Sequence, residues 1–185
     1  MANILTLSRI ALIIPLIMAF LAEAPWGRAV AFWIFAIAAL TDFADGWVAR
    51  ARNETSSLGA ALDPIADKLL VAIVLILAVR NGLVYGAGVI AVLIVVAREI
   101  LVSGLREATA AKKIALPVSR LAKWKTFAQL LAAGLLLAAA PGSVLGMNAQ
   151  PTAMALLWIA ALLTLWTGAQ YCVRAAKALS VKTQD

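Results

Sequence analysis

Six apolar runs occupy most of this chain, at roughly 4–22, 28–51, 59–80, 84–106, 119–140 and 151–175. Each is close to the ~20 residues a helix needs to cross the hydrocarbon of a bilayer. Of the 185 residues 64% are hydrophobic, against roughly half in a soluble domain, so polar side chains are too few to cover a water-facing surface. The runs are continuous and rich in Leu and Ala, which favours helices over strands. Turn residues break them at "EAPWG", "NETSS", "RNG" and "AAPGSVLGMNAQP". The expectation is an all-α integral membrane protein with six transmembrane helices, one domain over 1–185. The first run, within "MANILTLSRIALIIPLIMAFLAEAP", is expected to be a retained span rather than a signal peptide.

Charge placement predicts orientation. With the N-terminus in the cytoplasm, the cytoplasmic ends and loops hold Arg9, Arg50, Arg52, Arg106, Lys112, Lys113, Arg120, Lys123, Lys125, Arg174, Lys177 and Lys182. The opposite side keeps Arg28 and Arg80. That asymmetry puts both termini inside. "REATAAKKIALPVSR" is too polar to span and is expected to lie along the cytoplasmic surface between helices four and five. The net charge of +7 in such a chain points to anionic headgroups or substrates rather than to nucleic acid. Histidine is absent and Cys172 is the only cysteine, which excludes imidazole catalysis, histidine or CxxC metal sites and an internal disulfide. A packing role is expected for Cys172.

Four of the five aspartates fall in one window, "DFADGWVARARNETSSLGAALDPIADK": Asp42, Asp45, Asp63 and Asp67. The first two lie in the last third of helix two and the second two near the start of helix three. At 100° per residue Asp42, Asp45, Gly46 and Ala49 share a face, and Gly59, Asp63 and Asp67 share another. Asp42 lies about 12 Å along the axis from Arg50, inside the bilayer if Arg50 reaches the headgroups. One aspartate there costs on the order of 3 kcal/mol, so something must neutralise four. Protonation is one answer; pairing with Arg50, Arg52 and Lys68 is another, but these cations are few. Hard divalent cations, Mg²⁺ or Mn²⁺, match carboxylate oxygen best, and two such ions are usual equipment for phosphoryl displacement. Gly46, Ala49 and Gly59 would leave room for a ligand, or equally let helices approach. Asp63 before Pro64 has an alternative reading as the N-cap of a helix that starts at Pro64.

The second half offers cations for an anionic substrate. Arg98 lies inside an apolar span, where a charge is costly and usually functional. Arg98 and Arg106, with Ser103, Lys123 and Lys125, are candidates for binding a phosphate dianion. For Lys123 and Lys125 alone, side chains reaching to the interface are the favoured reading.

The spacing D-x2-D-G-x2-A-R-x8-G-x3-D-x3-D, carried by Asp42, Asp45, Gly46, Ala49, Arg50, Gly59, Asp63 and Asp67, resembles the signature of the CDP-alcohol phosphatidyltransferases. The six-helix layout is also similar to that family's. The resemblance implies transfer of a substituted phosphate from a CDP-linked donor to an alcohol, with release of CMP. It implies that the four aspartates hold two Mg²⁺ or Mn²⁺ ions and that Asp67 is also the general base. It implies that Asp42 to Arg50, with Gly46 and Ala49, and Gly59 beyond them, bind the nucleotide of the donor. "REI..SGLRE", "KWKT..Q" and "NILTLSRIALIIPLI" resemble the branch that uses CDP-diacylglycerol as donor and glycerol 3-phosphate as acceptor, its C1 hydroxyl the nucleophile. Asn3 and Thr6 match that branch and would border the nucleotide pocket; Arg9 matches too, or is an interfacial anchor. The resemblance further implies a homodimer in a bacterial cytoplasmic membrane, surrounded by lipid, with its active site facing the cytoplasm. A related synthase acting on inositol phosphate or phosphatidylglycerol is the near alternative. A divalent-cation or proton-coupled transporter is the alternative of another class, disfavoured because all four carboxylates gather at one end.

Overall fold

The computed structural model describes the backbone of residues 2–22, 24–52, 57–112, 114 and 120–181. Side chains are described at 7–22, 24–41, 65, 66, 68–112, 114 and 121–180. Among these residues there are six α-helices and no strand: α1 Ala2–Leu21, α2 Gly27–Arg52, α3 Ser57–Arg80, α4 Gly88–Ala111, α5 Arg120–Ala138 and α6 Gln150–Val181. A single 3-10 turn, Met147–Ala149, leads into α6.

Each expected apolar run is helical, and the boundaries differ for local reasons. Helix four begins at Gly88 rather than near 84, because Gly82 and Gly86 take φ of 69° and 53°, a left-handed backbone that a helix cannot continue through. Its other end carries on past 106. "REATA" is the last part of α4 rather than a separate surface segment: it holds no Gly or Pro, and Arg, Glu and Ala favour helix. The helix closes where Lys112 N–H donates to Thr109 O at 3.2 Å and Ile114 N–H donates to the same oxygen at 2.9 Å. The last helix runs to Val181, 32 residues, or ~48 Å at 1.5 Å per residue. The reading of Asp63 as an N-cap does not hold: α3 starts at Ser57, so Pro64 lies inside it. The sequence of "NETSS" before Ser57 lies outside the described residues.

The helices pack in a ring, α1–α2–α5–α6–α4–α3 and back to α1, and α3 also meets α5 across the middle. Leu16, Phe20, Leu75, Leu136 and Leu157 are buried at the centre. On α5 and α6, which pack against each other, small side chains such as Ala132, Ala133, Ala160 and Ala161 are buried; small residues let helix backbones approach closely. Large apolar side chains face outward instead: Ile100 is 70% exposed and Leu40 69%, a surface that water does not favour. Two helical stretches among the described residues are long and apolar enough to cross a bilayer, Gly88–Ala111 and Met147–Ser180. The connections after α1, α3 and α5 meet at one end of the bundle. There Arg28 Nη1 donates to the Pro141 carbonyl at 3.2 Å, and Gln150 Nε2 donates to the Leu83 carbonyl at 3.0 Å.

Candidate active site

Toward the other end the ring opens into a cavity of ≈ 680 Å³. Ala39 of α2 and Arg9 of α1 border it. The third helix contributes Ile65 and Lys68, and the fourth Arg98, Glu99, Ser103 and Arg106. Lys125, Thr126 and Gln129 come from α5, and Thr167, Gln170, Tyr171 and Arg174 from α6. The described lining thus carries six cations and one carboxylate, Glu99. Such a balance in a partly enclosed site attracts an anion.

Glu99 organises the floor. Its Oε1 accepts from Arg98 Nη1 at 3.1 Å and Gln129 Nε2 at 3.2 Å, and from Lys125 Nζ. Gln129 Nε2 also donates to Thr164 Oγ1 at 2.8 Å. Arg98 Nη2 reaches Thr167 Oγ1 at 3.3 Å. One carboxylate therefore ties α4 to α5, and its partners tie both to α6. The arrangement follows from helix periodicity: Lys125 and Gln129 are four apart on α5, and Thr164 and Thr167 three apart on α6, so each pair shares a face. Across the cavity Lys68 Nζ donates to Ser103 Oγ, joining α3 to α4.

Of the residues expected to bind an acceptor phosphate, Arg98, Ser103, Arg106 and Lys125 line this one cavity, whereas Lys123 is exposed and is not part of its wall. Lys125 does not extend to the interface: it is 5% exposed and paired with Glu99. Nor is Arg9 an interfacial anchor, being 2% exposed against the cavity. Asp42, Asp45, Gly46, Ala49 and Arg50 have helical backbone in α2, Gly59, Asp63 and Asp67 in α3, and Asn3 and Thr6 in α1. Their side chains lie outside the described residues. Along the backbone, Ala39 of the cavity lining is one turn before Asp42 on α2, and Lys68 of the lining directly follows Asp67 on α3. The α6 residues escaped the sequence reading, although Thr167, Gln170, Tyr171 and Arg174 follow i, i+3, i+4, i+7, the period of a single helix face.

The family model for CDP-alcohol phosphatidyltransferase matches residues 1–166. The chain belongs to the CDP-alcohol phosphatidyltransferase family. Several members similar to it are named CDP-diacylglycerol–glycerol-3-phosphate 3-phosphatidyltransferase. That of Rickettsia bellii is 43% identical over 169 residues, 91% of either chain. That of Salmonella choleraesuis is 39% identical over 171 residues, again 91% of either chain. A protein of Arabidopsis thaliana, the second of that name, is 37% identical over 176 residues, covering 89% of this chain and 75% of its own.

The match to the phosphatidyltransferase model takes in the whole aspartate window and every cavity-lining residue before α6, while Thr167, Gln170, Tyr171 and Arg174 fall just beyond it. The aspartate-bearing helices α2 and α3 and the cation-bearing helices α4 and α5 therefore border one space in this phosphatidyltransferase, and the half of α6 beyond residue 166 closes one side of it.

Proposed function

We propose that this phosphatidyltransferase moves the phosphatidyl group from CDP-diacylglycerol to sn-glycerol 3-phosphate, giving phosphatidylglycerophosphate and CMP. The observation that carries the reading is the cation-rich cavity beside the aspartate-bearing turns of α2 and α3. The names of relatives similar over about nine-tenths of the chain support the choice of acceptor. Six transmembrane helices with both termini in the cytoplasm, and a site that opens to that side of a bacterial inner membrane, accord with the outward apolar side chains and with the cavity lying opposite the Arg28 end. A homodimer is part of the same reading.

The reaction asks mainly for positioning and charge stabilisation. Asp42, Asp45, Asp63 and Asp67 are an all-oxygen donor set at i, i+3 and i, i+4 on continuous helices, which fits two Mg²⁺ or Mn²⁺ ions. Bound there, such ions would supply positive charge to the donor's pyrophosphate. Gly46, Ala49, Arg50 and Gly59, with Asn3 and Thr6, hold the nucleotide end of the donor. Arg98, Arg106 and Lys125 hold the acceptor's phosphate. The Asp67 carboxylate takes the proton of the C1 hydroxyl. The freed oxygen forms a bond to the phosphatidyl phosphorus, the bond from that phosphorus to the bridging oxygen breaks, and CMP leaves with the electron pair.

Purified protein in detergent with Mg²⁺ and CDP-diacylglycerol, offered glycerol 3-phosphate, inositol phosphate, phosphatidylglycerol or serine separately, tests this. CMP release is expected with glycerol 3-phosphate alone, and is expected to be lost with EDTA and in Asp67→Asn. Release with another acceptor would overturn the reading of the basic pocket. Cation movement across vesicles without CDP-lipid would bring the transporter forward.

A further inference from the structure

Arg98 is held on three sides by groups outside the aspartate motif. Glu99 Oε1 takes its Nη1 at 3.1 Å. Thr167 Oγ1 takes its Nη2 at 3.3 Å, and that hydroxyl is itself fixed by donating to the Leu163 carbonyl at 2.8 Å. The third side is Gly168. A Cβ there would stand 2.7 Å from Arg98 Cγ and 3.0 Å from Nε, so the arginine stem occupies the volume that any other residue would fill. The side chain is only 11% exposed, and among the described residues its Nε has no hydrogen-bond partner.

We propose that Glu99, Thr167 and Gly168 are positioning residues, which fix the Arg98 guanidinium in the orientation that receives the phosphate of the acceptor. The inference rests on the acceptor reading above and adds α6 to the site. A long cationic side chain normally loses rotamer freedom when it binds; one already seated loses little. A planar guanidinium also binds phosphate through two parallel hydrogen bonds, so its angle matters as much as its charge. Glu99 is held in turn by Lys125 and by Gln129, which is anchored on Thr164. The seat is therefore rigid through three helices and acts on the acceptor, not on the CDP-lipid.

The test uses full-length enzyme in detergent with Mg²⁺. Initial rates are measured against glycerol 3-phosphate and against CDP-diacylglycerol for wild type, Thr167→Val, Thr167→Ser and Gly168→Ala, with thermal unfolding of each. Loss of one hydrogen bond to a charged group is worth on the order of tenfold. Thr167→Val and Gly168→Ala are expected to raise the KM for glycerol 3-phosphate by about that factor. The KM for CDP-diacylglycerol and the unfolding midpoint of Thr167→Val should hold, and Thr167→Ser should restore the acceptor KM. An unchanged acceptor KM in Thr167→Val overturns the proposal, as does a parallel rise in both KM values. So does a fall in kcat that follows a lowered unfolding midpoint, which marks a tie between helices only. If Gly168→Ala does not fold, the Thr167 pair decides alone. If wild type prefers a different phosphate-bearing acceptor, the function reading falls and the same KM comparison on that acceptor decides the seat. A preference for an acceptor without phosphate overturns both.

Discussion

Glu99 stands beside Arg98 in the sequence, but neighbours on a helix point about 100° apart. Nothing in the sequence announces that its main partners are Lys125 and Gln129 on another helix. Its value is that of a half-buried carboxylate between half-buried Arg98 and buried Lys125. Removing one member of such a set strands the others: Lys125 is 5% exposed. Glu99→Ala is expected to cost about 3 kcal/mol of stability, read as a lowered thermal unfolding midpoint in detergent. Glu99→Gln should cost less, because an amide oxygen still accepts from Gln129 and Lys125. Arg98 itself stood out in the sequence, since a cation in an apolar run demands a reason, and the structure places it in the cavity wall. Lys123 and Lys125, two residues apart, read alike as letters and differ in the fold. One is exposed and the other buried, as the 200° between them on a helix requires.

At the level of elements, composition foretold the helices and glycine placed some of their ends. The start of α3 was ambiguous, because Asp63-Pro64 is as good a helix start as an interruption. The chain keeps Pro64 inside the helix, where its ring denies one N–H to the ladder. The connection between α5 and α6 is set by Gly142, with φ of 76° and a virtual Cβ only 2.6 Å from the Pro25 carbonyl oxygen. Gly142→Ala meets both a left-handed backbone and a backbone atom that cannot yield without moving the α1–α2 connection. It is expected to destabilise by about 1–3 kcal/mol, measured by thermal unfolding, with both KM values unchanged because Gly142 lies at the end opposite the cavity. On α6 the polar stripe from Thr167 to Arg174 was present in the sequence as a period. It carried no signal of its own, because a few polar residues near the end of an apolar helix also describe a snorkelling terminus.

For the molecule as a whole, orientation in the membrane is the property most open to direct measurement. Cys172 is the only cysteine, so a Cys172→Ser background accepts single reporters at exposed positions. Tyr85→Cys and Val144→Cys lie on connections at the Arg28 end; Lys177→Cys lies beyond the cavity on α6. A membrane-impermeant thiol reagent is expected to label the first two in intact cells, and the third only after permeabilisation. The reverse pattern would invert the topology and put the site outside.

The sequence alone determined the helical class, the six apolar runs, the spacing of the aspartate motif and the excess of positive charge. Each of these is local or additive: a run of apolar residues, a spacing along one helix, a sum of charges. Tertiary structure decided which cations share a cavity, that Glu99 holds Arg98 and Lys125, and that α6 closes the site with Thr167 and Gly168. Those facts depend on how helices far apart in the chain rotate about their axes and pack. Arg98 and Thr167 are 69 residues apart, and no pattern within either helix specifies that they meet.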